Sequence, residues 1–319
     1  MSEISSDQGR TDYRPSEKPV PIVLDTDIGP DCDDAGAVAV LHALEKSGRA
    51  RIVGMTHCTA SRWGAGCLDA LNAYYGREDI PVGTLRRLPG FLDDDAVYGK
   101  YNKLVAQQYP NRYGQGQPAP DATELTRELL AAAEDDSIVL AAIGPLVNFM
   151  HLLQSGPDRH SDLDGRALVA RKAKHLVVMG GLFPEGKEWN FEMHPEAAAY
   201  VTKHWPTGIT FTGYEIGAEI RTGRRLHIDA PADHPVRRSY NAWYGGEGGI
   251  RESWDLTAVL YAAEGAGDYW DLVRGTIEVD GETGANRWLP QADGRHAYLA
   301  RKMDPEKLTE LLDELLVRY

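Results

Sequence analysis

The sequence lacks the features that mark secreted, membrane-spanning and nucleic-acid-binding proteins. Its 319 residues include only three cysteines and no C-x-x-C pair, so neither a disulfide framework nor a zinc site is predicted. No apolar run reaches the ~18 residues of a membrane span, and the first twenty residues lack the apolar core of a signal peptide. Basic residues number 34 against 48 acidic ones, for a net charge of −14. Because nucleic acids and anionic membranes need a basic surface, neither is expected as a partner. We therefore expect a cytoplasmic protein.

The order of sequence patterns predicts one α/β domain. Residues 1–18 are polar and show no periodicity, which is typical of a disordered tail. From residue 19 to 319, short runs rich in β-branched residues alternate with amphipathic helical segments, and no repeat or linker divides them. Helices are predicted at 33–48 and 66–76, and a hairpin is predicted at 273–292. This alternation predicts an open, mostly parallel sheet flanked by helices, with a Rossmann-like core. In such sheets, ligands bind outside the carboxyl ends of the strands.

An unusual density of carboxylates follows the first predicted strand. The segment VLDTDIGPDCDDAGA (23–37) contains five aspartates within ten residues, namely Asp25, Asp27, Asp31, Asp33 and Asp34. Because Asp25 and Asp27 are two residues apart, they would project from the same face if the strand continues through them. A helix N-terminus offsets their repulsion by only ~0.3–1 kcal/mol per charge. The acids therefore either spread into water as a solvated loop or are neutralised by a bound cation. Since every donor is an oxygen, the cation would be Ca²⁺ or Mg²⁺ rather than zinc.

Two other acidic motifs fit the spacing less well. An EF-hand loop that starts at Asp31 would need an oxygen ligand at its fifth position and an acid at its twelfth, but Ala35 and His42 stand there. A phosphatase of the haloacid dehalogenase type also begins with D-x-D after an apolar strand. That family has Thr or Val two residues after the second Asp, where this chain has Gly29. The phosphatase is kept as a minor alternative.

Further motifs follow in order along the chain. They are IGPLVN (143–148), VMGG (178–181), EWNFEMHPEAA (188–198) and SWD (253–255). Together with DTDIGPDCDDAGA (25–37), they resemble the inosine–uridine-preferring nucleoside hydrolase family over roughly residues 20–265. The resemblance implies an open α/β fold, a tightly held Ca²⁺ and hydrolysis of the N-glycosidic bond of ribonucleosides. It also implies a part in nucleoside catabolism or purine and pyrimidine salvage, and a dimer or tetramer.

The resemblance also implies roles for individual residues. The calcium ligands would be Asp27, Asp34, the backbone carbonyl of Ile143, and Asp255. Asp25 would support them, and either Asp31 or Asp33 would fill the inner supporting position, since this loop is longer than the common form. Asp27 would take the proton of the attacking water, and Glu188 and Asn190 would hold the ribose hydroxyls.

Two positions depart from the family pattern. Trp254 stands where the family has the histidine proposed to protonate the departing base, and an indole cannot act as an acid near neutral pH. Trp254 can instead stack on a base or pack in the core. Ser61 aligns with an asparagine that contacts ribose in the family. These departures leave a second hypothesis, a metal-bound nucleoside- or ribose-binding protein without hydrolysis. The preferred base and sugar are not predicted. The segment 90–116 is expected to form part of the substrate wall. The candidate base contacts are His57, Tyr98, Tyr240, Asn241 and Arg251.

Overall fold

A ten-stranded, mostly parallel sheet forms the centre of the computed structural model, which describes residues 13, 15, 18–114 and 118–318. The strands are β1 (Val20–Thr26), β2 (Ala50–His57), β3 (Val82–Thr84), β4 (Ile138–Ile143), β5 (Ala173–Met179), β6 (Glu185–Gly186), β7 (Gly208–Thr212), β8 (Arg221–Thr222), β9 (Arg251–Glu252), β10 (Trp270–Val279), β11 (Asn286–Pro290) and β12 (His296–Arg301). In space the order is β3-β2-β1-β4-β5-β7-β12-β10-β11-β6, and β8 pairs with β9 in a separate ribbon. From β3 to β12 the pairs are parallel, and the remaining pairs are antiparallel.

Helices connect these strands and cover both faces of the sheet. They are α1 (Asp33–Lys46), α2 (Gly64–Tyr74), α3 (Asp95–Tyr98), α4 (Asn102–Gln108), α5 (Ala122–Ala132), α6 (Val147–Gln154), α7 (Gly165–Lys172), α8 (Trp189–Met193), α9 (Pro195–His204), α10 (Tyr214–Gly217), α11 (Arg224–Asp229), α12 (Pro235–Tyr244), α13 (Trp254–Glu264) and α14 (Pro305–Leu315). The predicted fold class is therefore confirmed. Among the described helices, none is long and apolar enough to cross a bilayer.

Strand β1 shows why the sheet is buried on both sides. Its consecutive apolar residues Ile22, Val23 and Leu24 are fully buried. Side chains alternate between the two faces of a strand. Accordingly, Ile22 and Leu24 join the core beneath α1, α2 and α13, whereas Val23 joins the core beneath α6, α7 and α9. A continuous apolar run is what a central parallel strand covered by helices requires.

One residue of the predicted N-terminal tail packs against the domain. Tyr13 is buried, its hydroxyl donates to the Ala262 carbonyl at 2.7 Å, and its ring stacks on His175 with centroids 5.0 Å apart. Apart from Tyr13, Pro15 and Lys18, the predicted tail lies outside the described residues. The domain proposed for residues 19–319 therefore has at least one contact with the segment that precedes it.

Candidate active site

A cavity of about 610 Å³ opens at the carboxyl ends of the parallel strands. This is where a sheet of this kind binds ligands. Its walls come from the segments that follow β1, β3, β4, β5 and β7 and from the start of α13. The lining residues include Asp27, Asp31, Asp33, Asp34, Val97, Tyr98, Ile143, Met179, Glu188, Trp189, Asn190, Tyr214, Arg251, Trp254 and Asp255. A larger groove of about 1000 Å³ is lined by Arg221 of β8 and by residues of α11, α14 and the segment 244–250, and none of its described lining residues belongs to the central sheet.

Three buried carboxylates meet on one side of this cavity. Asp33 and Asp34 lie in the first turn of α1, and Asp255 lies in the first turn of α13. One carboxylate oxygen from each lies within 4.8 Å of the others. The Asp255 backbone N–H donates to Asp33 Oδ2 at 3.1 Å, and Thr26 donates to Asp34. The packing of α1 against α13 therefore brings together acids more than 200 positions apart in sequence.

Asp27 and Ile143 line the same cavity but lie outside that close group. Asp27 directly follows β1, and Ile143 is the last residue of β4, the strand beside it. Gly144 leaves room for Asp27, because a Cβ atom there would lie 2.8 Å from Asp27 Oδ1. The four residues expected to ligate calcium thus surround one space, with Asp33 as an additional neighbour.

Asp25 lies beneath these acids instead of lining the cavity. Strand β1 ends at Thr26, so Asp25 is still within the sheet. Its Oδ1 accepts hydrogen bonds from Thr56 Oγ1 at 2.5 Å and from Asn148 Nδ2 at 2.7 Å. Its Oδ2 is buried without a hydrogen-bond partner. Asn148 belongs to the IGPLVN segment, which explains how that segment serves the site.

Burial of so many acids makes their ionisation costly. Burial raises the pKa of Asp25 to about 7 and that of Asp27 to about 8, with the negative charges of neighbouring acids adding to the effect at Asp27. The pKa values of Asp33, Asp34 and Asp255 are raised well above their usual range for the same two reasons. Such a group either binds protons or binds a cation. Its all-oxygen donor set and high negative charge fit a hard divalent cation.

Glu188 and Asn190 form a second polar group among the residues that line the cavity. The Glu188 carboxylate caps α8 by accepting from the backbone N–H groups of Asn190 (2.8 Å), Gly181 (3.1 Å) and Phe191 (3.3 Å). Burial raises the pKa of Glu188 to about 7. The Asn190 amide donates to the Met179 carbonyl at 3.1 Å, so both side chains are held in place. Glu188 is therefore the N-cap of α8 as well as a cavity-lining acid.

An aromatic wall closes one side of the cavity. The Trp254 ring stacks on Tyr214 with centroids 5.4 Å apart, and its indole N–H donates to the Tyr214 carbonyl at 2.8 Å. Gly217 permits this arrangement, because a Cβ there would lie 2.3 Å from Trp254 Cα. Opposite this wall, the exposed side chains of Val97 and Trp189 line the opening. None of the cavity-lining residues within the described part of the chain is a histidine.

Only some of the other residues predicted from the sequence line the cavity. Val97 and Tyr98 of the segment 90–116 line the cavity, as does Arg251, whereas the other candidate base contacts, His57, Tyr240 and Asn241, are not among its lining residues. Ser61 is not among the lining residues. Its hydroxyl instead accepts from the Trp63 backbone N–H at 3.3 Å and from the Asn102 amide at 3.4 Å. Tyr214 was missed by sequence reasoning, although its place just after an apolar strand could have indicated it.

The fold is shared with solved nucleoside hydrolases. The structure titled inosine-guanosine nucleoside hydrolase superposes with a TM-score of 0.71 at 18% identity, covering 93% of this chain and 98% of that chain. A purine-preferring ribonucleoside hydrolase from Gardnerella vaginalis gives 0.69 at 15% identity, covering 93% and 99%. An inosine-uridine preferring nucleoside hydrolase from Bacillus anthracis gives 0.67 at 15% identity, covering 94% and 100%.

The sequence itself assigns the family. The family profile for inosine-uridine preferring nucleoside hydrolases matches residues 22–310, and the chain belongs to this family. It is accordingly a hydrolase that acts on N-glycosyl compounds. No curated protein sequence matches the chain at a significant level. The family assignment leaves the phosphatase alternative without support.

Proposed function

We propose that this protein hydrolyses the N-glycosidic bond of a ribonucleoside or related riboside to free base and ribose, and that it depends on Ca²⁺. The observation that carries the proposal is that Asp33, Asp34 and Asp255 meet beside Asp27 and line one cavity together with Glu188 and Asn190. A cation among the acids and further hydrogen-bonding groups in the same cavity are what recognition of a polyhydroxylated sugar requires.

The proposed calcium ligands are Asp27, Asp34, the Ile143 carbonyl and Asp255. Calcium accepts six to eight oxygen ligands, so four from the protein leave positions for ribose hydroxyls and for water. When bound, Ca²⁺ supplies positive charge that orients the sugar and makes water easier to deprotonate. Asp25, Asp31 and Asp33 are proposed as supporting acids. For Asp25 this is favoured by its hydrogen bonds to Thr56 and Asn148, which keep its carboxylate within the sheet.

The chain's own residues then account for the chemistry. Asp27 accepts the proton of the attacking water, because it lines the cavity beside the acids proposed to hold the cation and is therefore placed to act as a general base. Departure of the base leaves positive charge on the sugar, as in glycoside hydrolysis generally. The surrounding carboxylates stabilise that charge because they are fixed before the reaction begins. Glu188 and Asn190 are proposed to hold the sugar hydroxyls, so that the anomeric carbon faces the water.

Trp254 favours a second candidate function. With an indole where the family has a histidine, the cavity lacks the expected acid for the leaving base. A protein with this site could bind a nucleoside or ribose together with Ca²⁺ and not cleave it. The first proposal is preferred because the acids needed for attack by water are all present.

A dimer or tetramer is also proposed, and sedimentation velocity would test it.

The deciding experiment measures base and ribose released from a panel of purine and pyrimidine nucleosides. With Ca²⁺ present, the wild-type protein should release both products, and a calcium chelator should abolish release. Asp27→Ala should reduce kcat at least 100-fold, on the scale of a lost general base. The exposed Asp79→Asn serves as the matched control and should act as wild type. Hydrolysis that persists in chelator would refute the calcium requirement, and nucleoside binding without turnover would favour the second candidate.

A further inference from the structure

Arg251 makes an unusual set of contacts at the rim of the cavity. Its guanidinium donates to both carboxylate oxygens of Asp31, with Nε at 2.9 and 3.1 Å and Nη2 at 2.5 Å, and Nη1 donates to Glu252 at 2.7 Å. The same group lies over the Trp243 ring at 4.5 Å and over the Trp254 ring at 4.9 Å. One side chain therefore contacts both the acidic loop and the aromatic wall.

The partner of this arginine, Asp31, is an acid that the arginine itself holds with three hydrogen bonds. Asp31 lies in the loop between β1 and α1, only two positions before Asp33, and it lines the cavity. Its other side-chain hydrogen bond joins Oδ1 to the Cys32 backbone N–H at 2.7 Å. It is not part of the close group formed by Asp33, Asp34 and Asp255. A carboxylate so near a cation would otherwise be drawn to it.

We infer that Arg251 is a positioning residue that keeps Asp31 in its supporting position, beside the cation-binding carboxylates but not among them, and that braces Trp254 in the aromatic wall. The inference rests on the proposed function, which makes this cavity a site for calcium and a sugar. The contacts of Arg251 themselves do not depend on whether the protein cleaves a nucleoside. A bidentate arginine–carboxylate pair is directional as well as attractive. The positions around the cation that Asp31 would occupy then stay open for sugar hydroxyls. The flat guanidinium also supports the ring of Trp254.

The two proposed roles of Arg251 can be separated, because holding Asp31 depends on the positive charge whereas bracing Trp254 depends on the planar shape of the guanidinium. Removing the positive charge of Arg251 leaves Asp31 free to bind the cation. Ca²⁺ should then bind more tightly, and fewer positions around it should remain for the sugar hydroxyls. Lysine keeps the positive charge but lacks the paired N–H donors and the planar shape of the guanidinium. Arg251→Lys should therefore preserve calcium affinity and still raise KM, because Trp254 loses its support.

The test compares Arg251→Gln, Arg251→Lys and Arg251→Gln/Asp31→Asn with wild type in the full-length protein. Calorimetric titration with Ca²⁺ alone gives Kd, nucleoside kinetics give kcat and KM, and thermal unfolding gives Tm. We expect Arg251→Gln to lower the calcium Kd at least threefold and kcat/KM at least tenfold. The double variant should return Kd to within twofold of wild type. Arg221→Gln is the matched control, since Arg221 also pairs with Glu252, at 2.9 Å, but is mostly exposed.

Each outcome has a distinct meaning. A weaker or unchanged calcium Kd in Arg251→Gln would overturn the inference, as would a fall in Tm alone with kcat/KM unchanged. If Arg251→Gln does not fold, Arg251→Lys still tests the inference. An unchanged KM in Arg251→Lys would refute the proposal that Arg251 braces Trp254. If wild type binds Ca²⁺ but cleaves no nucleoside, the proposed function fails. In that case the predicted changes in Kd would still support the role of Arg251 toward Asp31.

Discussion

Replacement of Asp25 by asparagine should stabilise the calcium-free protein at high pH more than at low pH. Asp25 is fully buried, and burial raises its pKa from 3.8 to about 7. An acid whose pKa is higher in the folded state favours folding only while it is protonated there. Stability is therefore lost as pH rises from the unfolded pKa to the folded one, and the whole loss is present above pH 7. Asparagine does not ionise and escapes this loss.

The size of the effect follows from the pKa shift. A shift of about three units at about 1.4 kcal/mol each costs the wild-type protein about 4 kcal/mol once Asp25 is ionised. At about pH 5 the same group costs only about 2 kcal/mol, because the folded state keeps its proton. The new amide N–H₂ would occupy the place of Oδ2, which has no partner, at a penalty of ~1–3 kcal/mol that does not depend on pH. The variant should therefore gain about 2–3 kcal/mol relative to wild type between about pH 5 and about pH 8.5.

Urea unfolding followed by tryptophan fluorescence, in chelator at both pH values, measures this difference directly. Titration of Glu188 affects both proteins alike and largely cancels in the comparison. The charge of Asp25 contributes to the raised pKa of Asp27, so its loss in the variant makes ionisation of Asp27 less costly and acts in the same direction. Asp79→Asn is the control, because Asp79 is exposed and the hydrogen bond from Arg77 lowers its pKa, so it stays ionised over this range. If Asp25→Asn changes stability equally at the two pH values, Asp25 is not a strained buried acid and the reasoning is wrong.

The fold could be predicted because its signals are local. The helix predicted at 33–48 is observed as Asp33–Lys46, and the one predicted at 66–76 as Gly64–Tyr74. The hairpin predicted at 273–292 is confirmed by the antiparallel pairing of β10 with β11. Periodicity and β-branched runs decide such elements within ten residues or so. Their ends shift by one or two residues because packing, not composition, decides where a helix stops.

The site was less predictable because it depends on directions that side chains take after a strand ends. Asp25 and Asp27 were expected to project from one face if the strand continued, but β1 stops at Thr26 and only Asp27 reaches the cavity. The pair between Asp31 and Arg251 joins residues 220 positions apart, and no local pattern indicates it. Ser61 was expected to contact the sugar because of its place after β2, but it does not line the cavity and its hydroxyl accepts a hydrogen bond from Asn102.

Two further variants test the calcium-binding side and the leaving-group side of the cavity. Gly144→Ala would place a Cβ 2.9 Å from the Asp27 backbone nitrogen, so we expect calorimetry to show at least tenfold weaker Ca²⁺ binding, whereas Gly156→Ala, with open space around it, should bind as wild type. For Trp254, the only N–H of the ring already donates to the Tyr214 carbonyl, and an acid normally contributes about 10²–10⁴-fold with poor leaving groups. The enzyme should therefore cleave p-nitrophenyl riboside far faster than inosine or uridine in kcat/KM. Trp254→His should narrow that gap by supplying a proton, and Trp254→Phe should keep the stacking and most of the activity. Without an acid, natural ribosides should react more slowly because their bases are poor leaving groups. Equal kcat/KM values for activated and natural ribosides would therefore mean that a group other than residue 254 protonates the base.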